Sequence, residues 1–128
     1  MRFGNLSKKQ VYLRLHSTSP SLTINLQKSM NSIDNLRKWM KKEGYAAFIV
    51  PTNDPHFSEY TAPYWKCREY LSGFTGSAGT VVVTADKALL WTDSRYFIQA
   101  AQQIDRKVFT LQKSGLKNTP SITEWLAV

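Results

Sequence analysis

Arg68-Glu69-Tyr70-Leu71-Ser72-Gly73-Phe74-Thr75-Gly76-Ser77-Ala78-Gly79-Thr80 runs straight into Val81-Val82-Val83 and then towards Leu90-Trp91-Thr92-Asp93-Ser94-Arg95-Tyr96. Glycine can take positive φ or let another backbone approach closely, so Gly73, Gly76 and Gly79 predict a loop packed tightly between two strands. Positive φ is the expectation at Gly76 and Gly79. The G-x-x-G-x-x-G spacing excludes the common glycine-rich phosphate cradles. A P-loop needs Gly-Lys-Ser/Thr opening a helix, and a dinucleotide fold needs G-x-G-x-x-G followed by a helix. Here no lysine interrupts the motif and a β-branched run follows. Gly76-Ser77-Ala78-Gly79 also lacks the G-x-S-x-G spacing of a nucleophile elbow.

Periodicity extends the reading outward. Ile33, Leu36, Trp39 and Met40 recur at helical spacing, with Ser32 as the expected cap and Gly44 as the stop. Residues 46–50 form a short apolar run, as in a strand covered on both faces, and Pro51-Thr52-Asn53-Asp54-Pro55 is turn chemistry at its end. Residues 80–84 and 87–92 predict a β-hairpin about Ala85-Asp86. Residues 95–104 predict a helix capped by Asp93 or Ser94, 108–111 a further strand, and Ser121-Ile122-Thr123-Glu124 a last helix opened by a capping box. Helix followed by buried strand predicts an α/β sandwich, in which strand ends commonly carry sites.

The chain has 128 residues, 42% of them apolar, enough for one globular domain. Its net charge of +8 is unevenly spread: residues 1–29 hold Arg2, Lys8, Lys9, Arg14 and Lys28 with no acid, leaving 12 basic against 9 acidic side chains in the remainder. The globular part is thus only mildly basic, and nucleic acid is not an expected partner. Residues 1–29 are a basic leader, discontinuous in composition with a domain starting at Met30, and either a targeting segment or upstream translation produces such a stretch. Cys67 is the sole cysteine, which rules out an intrachain disulfide and favours the cytoplasm. A passive, partly buried thiol is its expected state. No apolar run approaches a membrane span.

Taken with Asn53-Asp54-Pro55-His56-Phe57-Ser58-Glu59-Tyr60 and Leu89-Leu90-Trp91-Thr92-Asp93-Ser94-Arg95-Tyr96-Phe97-Ile98-Gln99-Ala100, the glycine motif resembles the N-terminal domain of Xaa-Pro aminopeptidases (aminopeptidase P), the creatinase/prolidase N-terminal type. The likeness runs from about Met30 to the last residue. Phe57 stands where Gln is common before Ser-Glu-Tyr. Ser94 stands where Gly is usual in W-T-D-G-R-Y, an awkward replacement if that position needs positive φ. The resemblance implies a mixed sheet that is truncated at its C-terminal end, so the chain is expected to be a fragment or short product. The parent enzymes it points to remove an N-terminal residue preceding proline, using a pair of divalent metal ions, Mn or Zn. Two Asp, one His and two Glu hold those ions on a C-terminal pita-bread catalytic domain that is not part of this chain.

Without that domain, no catalytic residue and no resident cofactor are expected here. Asp54, His56 and Glu59 offer mixed N and O donors suited to Zn or Mn. Their spacing on a Pro-containing loop gives no common direction, so hydrogen bonding within the loop is the expectation and no metal site is assigned. Asp54, His56, Glu59, Tyr60 and Arg68 are instead candidates for substrate gating or an interface. A carboxylate suits a peptide ammonium and a forked guanidinium suits carbonyl or carboxylate groups. Glu59 and Arg68 are expected as exposed charges. Gly73, Gly76, Gly79, Asp93 and Arg95 are expected to set the loop, with ion pairing among Glu59, Arg68, Asp93 and Arg95 as the structural alternative. The implied partners are the catalytic domain, a second copy of the chain and, in the whole enzyme, a peptide with proline second. A free-standing protein-interaction module that keeps the fold without hydrolysis is the competing reading.

Overall fold

In the computed structural model, which describes residues 26–128, helix α1 (Leu26–Glu43) buries Ile33, Leu36 and Met40. Steps of three and four residues put those side chains on one face. The expected stop is present: Gly44 has φ 76°, and the N–H groups of Gly44 and Tyr45 donate to the carbonyls of Lys41 (3.4 Å) and Met40 (2.9 Å). Those two bonds close a helix on a left-handed residue. The start departs from expectation. Ser32 lies inside α1, which begins at Leu26, four residues before Met30. No Gly or Pro interrupts residues 26–43, and a serine acts as an N-cap only at the position just before the first helical turn. Residues 1–25, including His16 and most of the basic leader, lie outside the described residues.

Strands β1 (Ala47–Pro51), β2 (Thr80–Thr84), β3 (Ala88–Thr92) and β4 (Thr110–Lys113) form one sheet in the order β1-β2-β3-β4. The first two pairings are antiparallel and β3 with β4 is parallel, which makes the sheet mixed, as anticipated. Register opposes Val50 to Val81, Val81 to Leu90 and Leu90 to Leu111. Because side chains alternate across a sheet, that row shares one face. It packs in a common core with Ile33, Leu36 and Met40, with Leu71 of α2 (Cys67–Ser72) and with Ala100 of α3 (Phe97–Gln103). On the opposite face Val82, Leu89 and Trp91 meet Ile122, Trp125 and Leu126 of α4 (Ile122–Ala127). Trp91 and Trp125 pack edge to face at 5.8 Å, and the Trp91 indole N–H donates to the Pro120 carbonyl at 2.8 Å. The predicted capping box is in place: Glu124 N–H donates to Ser121 Oγ, and Ser121 N–H donates back to the Glu124 carboxylate.

Three further expectations are corrected. β1 is not covered on both faces: it is an outer strand, paired only with β2, and Ile49 is 41% exposed. The stretch read as a loop begins as helix α2, whose last turn is closed by Gly73 at φ 76° donating to the Glu69 carbonyl. Burial of Leu71 and Ser72 holds this short helix, which has no side-chain N-cap to announce it. Finally, β4 starts at Thr110, because the N–H groups of Val108 and Phe109 both turn back onto the Asp105 carbonyl.

Candidate functional site

The glycine motif splits by physical role. Gly73 alone of the three is left-handed, so the expectation of positive φ at Gly76 and Gly79 does not hold. These two are glycines because neighbours come too close. A Cβ on Gly76 would lie 2.3 Å from Phe74 Cζ and 2.9 Å from Tyr96 Cδ1; one on Gly79 would lie 2.9 Å from Arg68 Nη1 and 3.1 Å from the Trp91 carbonyl oxygen. The loop is tied down on either side by hydroxyls, which can donate and accept at once. Thr52 Oγ1, just beyond β1, donates to the Gly79 carbonyl (2.7 Å) and accepts the Gly79 N–H (2.9 Å). Thr92 Oγ1 donates to the Ala78 carbonyl at 2.6 Å. Ser77 and Tyr96 share a hydroxyl–hydroxyl bond, which draws the Tyr96 phenol below its ordinary pKa. Ser77 thus faces a phenol and no general base.

Arg68 overturns the expectation of an exposed charge, being only 6% exposed. It is carried inward by α2, lies over the Phe74 ring at 4.8 Å and donates through Nη2 to the Gly76 carbonyl. Burial pulls its pKa down, with Glu69 and then Tyr96 opposing that effect. No ion pair joins it to Glu59: the pairs among the described residues are Asp34–Arg37, Lys66–Glu69 and Asp93–Arg95. Asp93 and Arg95 bond only to each other in this respect, through Nε at 3.0 Å and Nη2 at 2.8 Å. That contact lowers the Asp93 pKa and raises that of Arg95. Asp93 also accepts the Arg95 N–H, so it is the cap, and Ser94 opens a single 3-10 turn (Ser94–Tyr96) without positive φ. The serine at this position is therefore free of backbone strain.

Asp54 is buried and its Oδ1 accepts the N–H groups of Ser58 (3.0 Å) and His56 (2.9 Å). The Ser58 bond leads in holding its carboxyl below the ordinary range, against the opposing effect of burial. The turn this makes throws Phe57 into the left-handed region (φ 53°), the only non-glycine residue among those described to be there. His56 is exposed. Asp54, His56 and Glu59 do not converge: among the described residues no three His, Cys, Asp or Glu side chains are placed to hold a metal ion. Burial pushes the Cys67 thiol up, away from reactivity.

What the fold does bring together is a cleft of about 340 Å³ between the 52–61 segment and the glycine loop. Glu59, Tyr60 and Arg68 line it, as predicted candidates, whereas Asp54 and His56 do not. Thr52, Thr61, Lys66, Glu69, Thr75 and Ser77 complete the polar lining, and none of them stood out in the sequence. The only available signal was Thr52, placed directly after a strand-ending proline. Charges of both signs and several hydroxyls suit a zwitterionic or peptide ligand. Tyr60 is 85% and Phe57 78% exposed, so the 52–61 segment carries large apolar surface. No helix among the described residues is long and apolar enough to cross a membrane.

Residues 33–127 match the family model described as the Creatinase/Prolidase N-terminal domain. A Probable Xaa-Pro aminopeptidase P of Neurospora crassa is 42% identical over 125 residues, which cover 98% of this chain and 18% of that protein. That alignment runs through most of residues 1–29. The Xaa-Pro aminopeptidase ApepP of Drosophila melanogaster is 51% identical over 84 residues, 66% of this chain and 14% of its own length. Among solved structures, an X-prolyl aminopeptidase of Caenorhabditis elegans, described as a cytosolic enzyme with a di-nuclear active site, superposes with a TM-score of 0.67 at 36% identity, covering 80% of this chain and 18% of that one. The chain spans less than a fifth of the length of each of these relatives.

Proposed function

Since the chain belongs to the creatinase/prolidase N-terminal domain family, we propose that it is a non-catalytic N-terminal domain of an Xaa-Pro aminopeptidase, shaping the mouth of a catalytic cleft and contributing to oligomer contacts. The whole enzyme removes the residue that precedes an N-terminal-proximal proline, in the cytoplasm, with a pair of Mn or Zn ions held on the pita-bread catalytic domain. The observation that carries this reading is the cleft itself: Glu59, Tyr60 and Arg68 converge on it from two segments, yet nothing in it pairs a nucleophile with a base. Glu59 suits the peptide ammonium and Tyr60 offers an apolar face to the substrate or the neighbouring domain.

The test uses the Drosophila relative, of which the matched region makes up 14%. Replacing its counterparts of Glu59 and Tyr60 by Ala should raise KM for an Xaa-Pro peptide several-fold or lower kcat, with little change in melting temperature. Unchanged kinetics in both variants would remove the gating role. The exposed aromatic side chains of Phe57, Tyr60 and Tyr64 also favour a second reading, an interaction module acting without hydrolysis. Stable co-elution of this chain with an intact relative, leaving its turnover untouched, would select it.

A further inference from the structure

We infer that the cleft at Arg68 is a carboxylate-binding site. This deepens the reading of the cleft as a contact surface, and names the chemistry it contacts. Arg68 is more than nine-tenths buried and lines the cleft, yet its Nε and Nη1 have no hydrogen-bond partner. Those atoms carry about three of the five N–H donors of an arginine. Buried donors of this kind are nearly always paired, and those that are not need an explanation. The protein supplies one neutral acceptor, the Gly76 carbonyl, and one aromatic face, Phe74. No acid is hydrogen-bonded to the guanidinium: Glu69, whose charge only partly offsets the burial of Arg68, pairs with Lys66 at 3.7 Å, and Glu59 makes no ion pair with Arg68. Gly79, lacking a Cβ, lets Nη1 pack directly against its backbone.

A buried cation with no hydrogen-bonded acid favours an anion, and a planar fork of donors matches the two oxygens of a carboxylate. Nε and Nη1 are closed off from bulk water, so entry requires movement of the cleft wall. Lys66 and Tyr60 are long, exposed side chains of that wall. Two sources share this chemistry: an Asp or Glu side chain of the neighbouring domain, and the C-terminal carboxylate of a bound peptide.

The experiment follows the Arg68 Nε–H resonance of the intact 128-residue chain by NMR, assigned through bonds. Sodium acetate, N-acetyl-alanine, N-acetyl-glutamate amide and, as neutral control, N-acetyl-alanine methylamide are titrated at constant ionic strength. The expected result is a saturable shift with all three carboxylates and none with the amide. Tighter binding of N-acetyl-glutamate amide identifies a side-chain source, and tighter binding of N-acetyl-alanine identifies a peptide terminus. The Glu59→Gln variant, altered at an exposed position, should bind acetate about twofold more tightly, since a nearby negative charge is removed. No shift, or an equal response to the neutral amide or to chloride, overturns the proposal and leaves Arg68 a structural arginine. This readout is independent of turnover, so it can fail while the gating role stands, and the reverse.

Discussion

Gly76→Ala adds a single methyl group where three ring atoms already stand at 2.3, 2.7 and 2.9 Å from the new Cβ. Bringing Phe74 Cζ back to ordinary contact, near 3.4 Å, requires the ring to move by about 1 Å. Phe74 is fully buried, and its ring also holds the Arg68 cation at 4.8 Å and packs on Tyr96 at 5.9 Å. Movement therefore loosens both contacts. Overpacking of a well-filled core costs about 1–3 kcal/mol, and the loss of two ring contacts places this variant near the top of that range. For a domain of this size each kcal/mol shifts Tm by about 4–8 °C, so a fall of about 12 °C or more is expected. Gly115→Ala is the control: its Cβ meets nothing within 4 Å, but φ is 88°. Left-handed strain alone costs it about 1 kcal/mol, or about 4–8 °C. Thermal melts followed by circular dichroism decide the order. Shortening Phe74 to Leu in the Gly76→Ala background should recover part of the loss, giving non-additive coupling. A Gly76→Ala protein melting at or above the Gly115→Ala protein would refute the account of close approach.

Two more outcomes are expected. Because the folded chain holds the Asp54 carboxyl below its ordinary pKa, chiefly through the Ser58 N–H, the native state binds that proton more weakly than the unfolded chain. Its stabilising contribution is complete above about pH 4 and disappears as the pH falls through the depressed folded value. The Ser58 amide resonance should accordingly show its acid-limb movement only below about pH 4; an acid-limb midpoint above about 4.5 would contradict the geometry. Purified chain dialysed against Mn or Zn should retain no stoichiometric ion and release no residue from Xaa-Pro peptides. One ion per chain, lost in His56→Ala, would reverse that expectation.

Local chemistry made a good part of this molecule readable in advance. The α1 stripe of Ile33, Leu36 and Met40, the Gly44 stop, the 80–92 hairpin and the Ser121–Glu124 capping box all rest on contacts a few residues long, where side-chain type and spacing determine the backbone. The ordered motifs from Asn53 to Ala100 likewise identified the family. Helix α2 escaped because its burial, rather than a cap, holds it. The state of Arg68 could not be read either. Whether a charged side chain is exposed depends on where its helix is pressed, and only packing against Phe74 and Gly76 buries it. Gly76 and Gly79 show the same division. Sequence specified that a side chain was intolerable there, but rings and backbone brought in from Phe74, Tyr96 and Trp91 decided that the reason was space and not φ. Convergence of Glu59, Tyr60 and Arg68 on one cleft is a long-range fact as well, produced by Thr52 binding the Gly79 backbone across 27 residues.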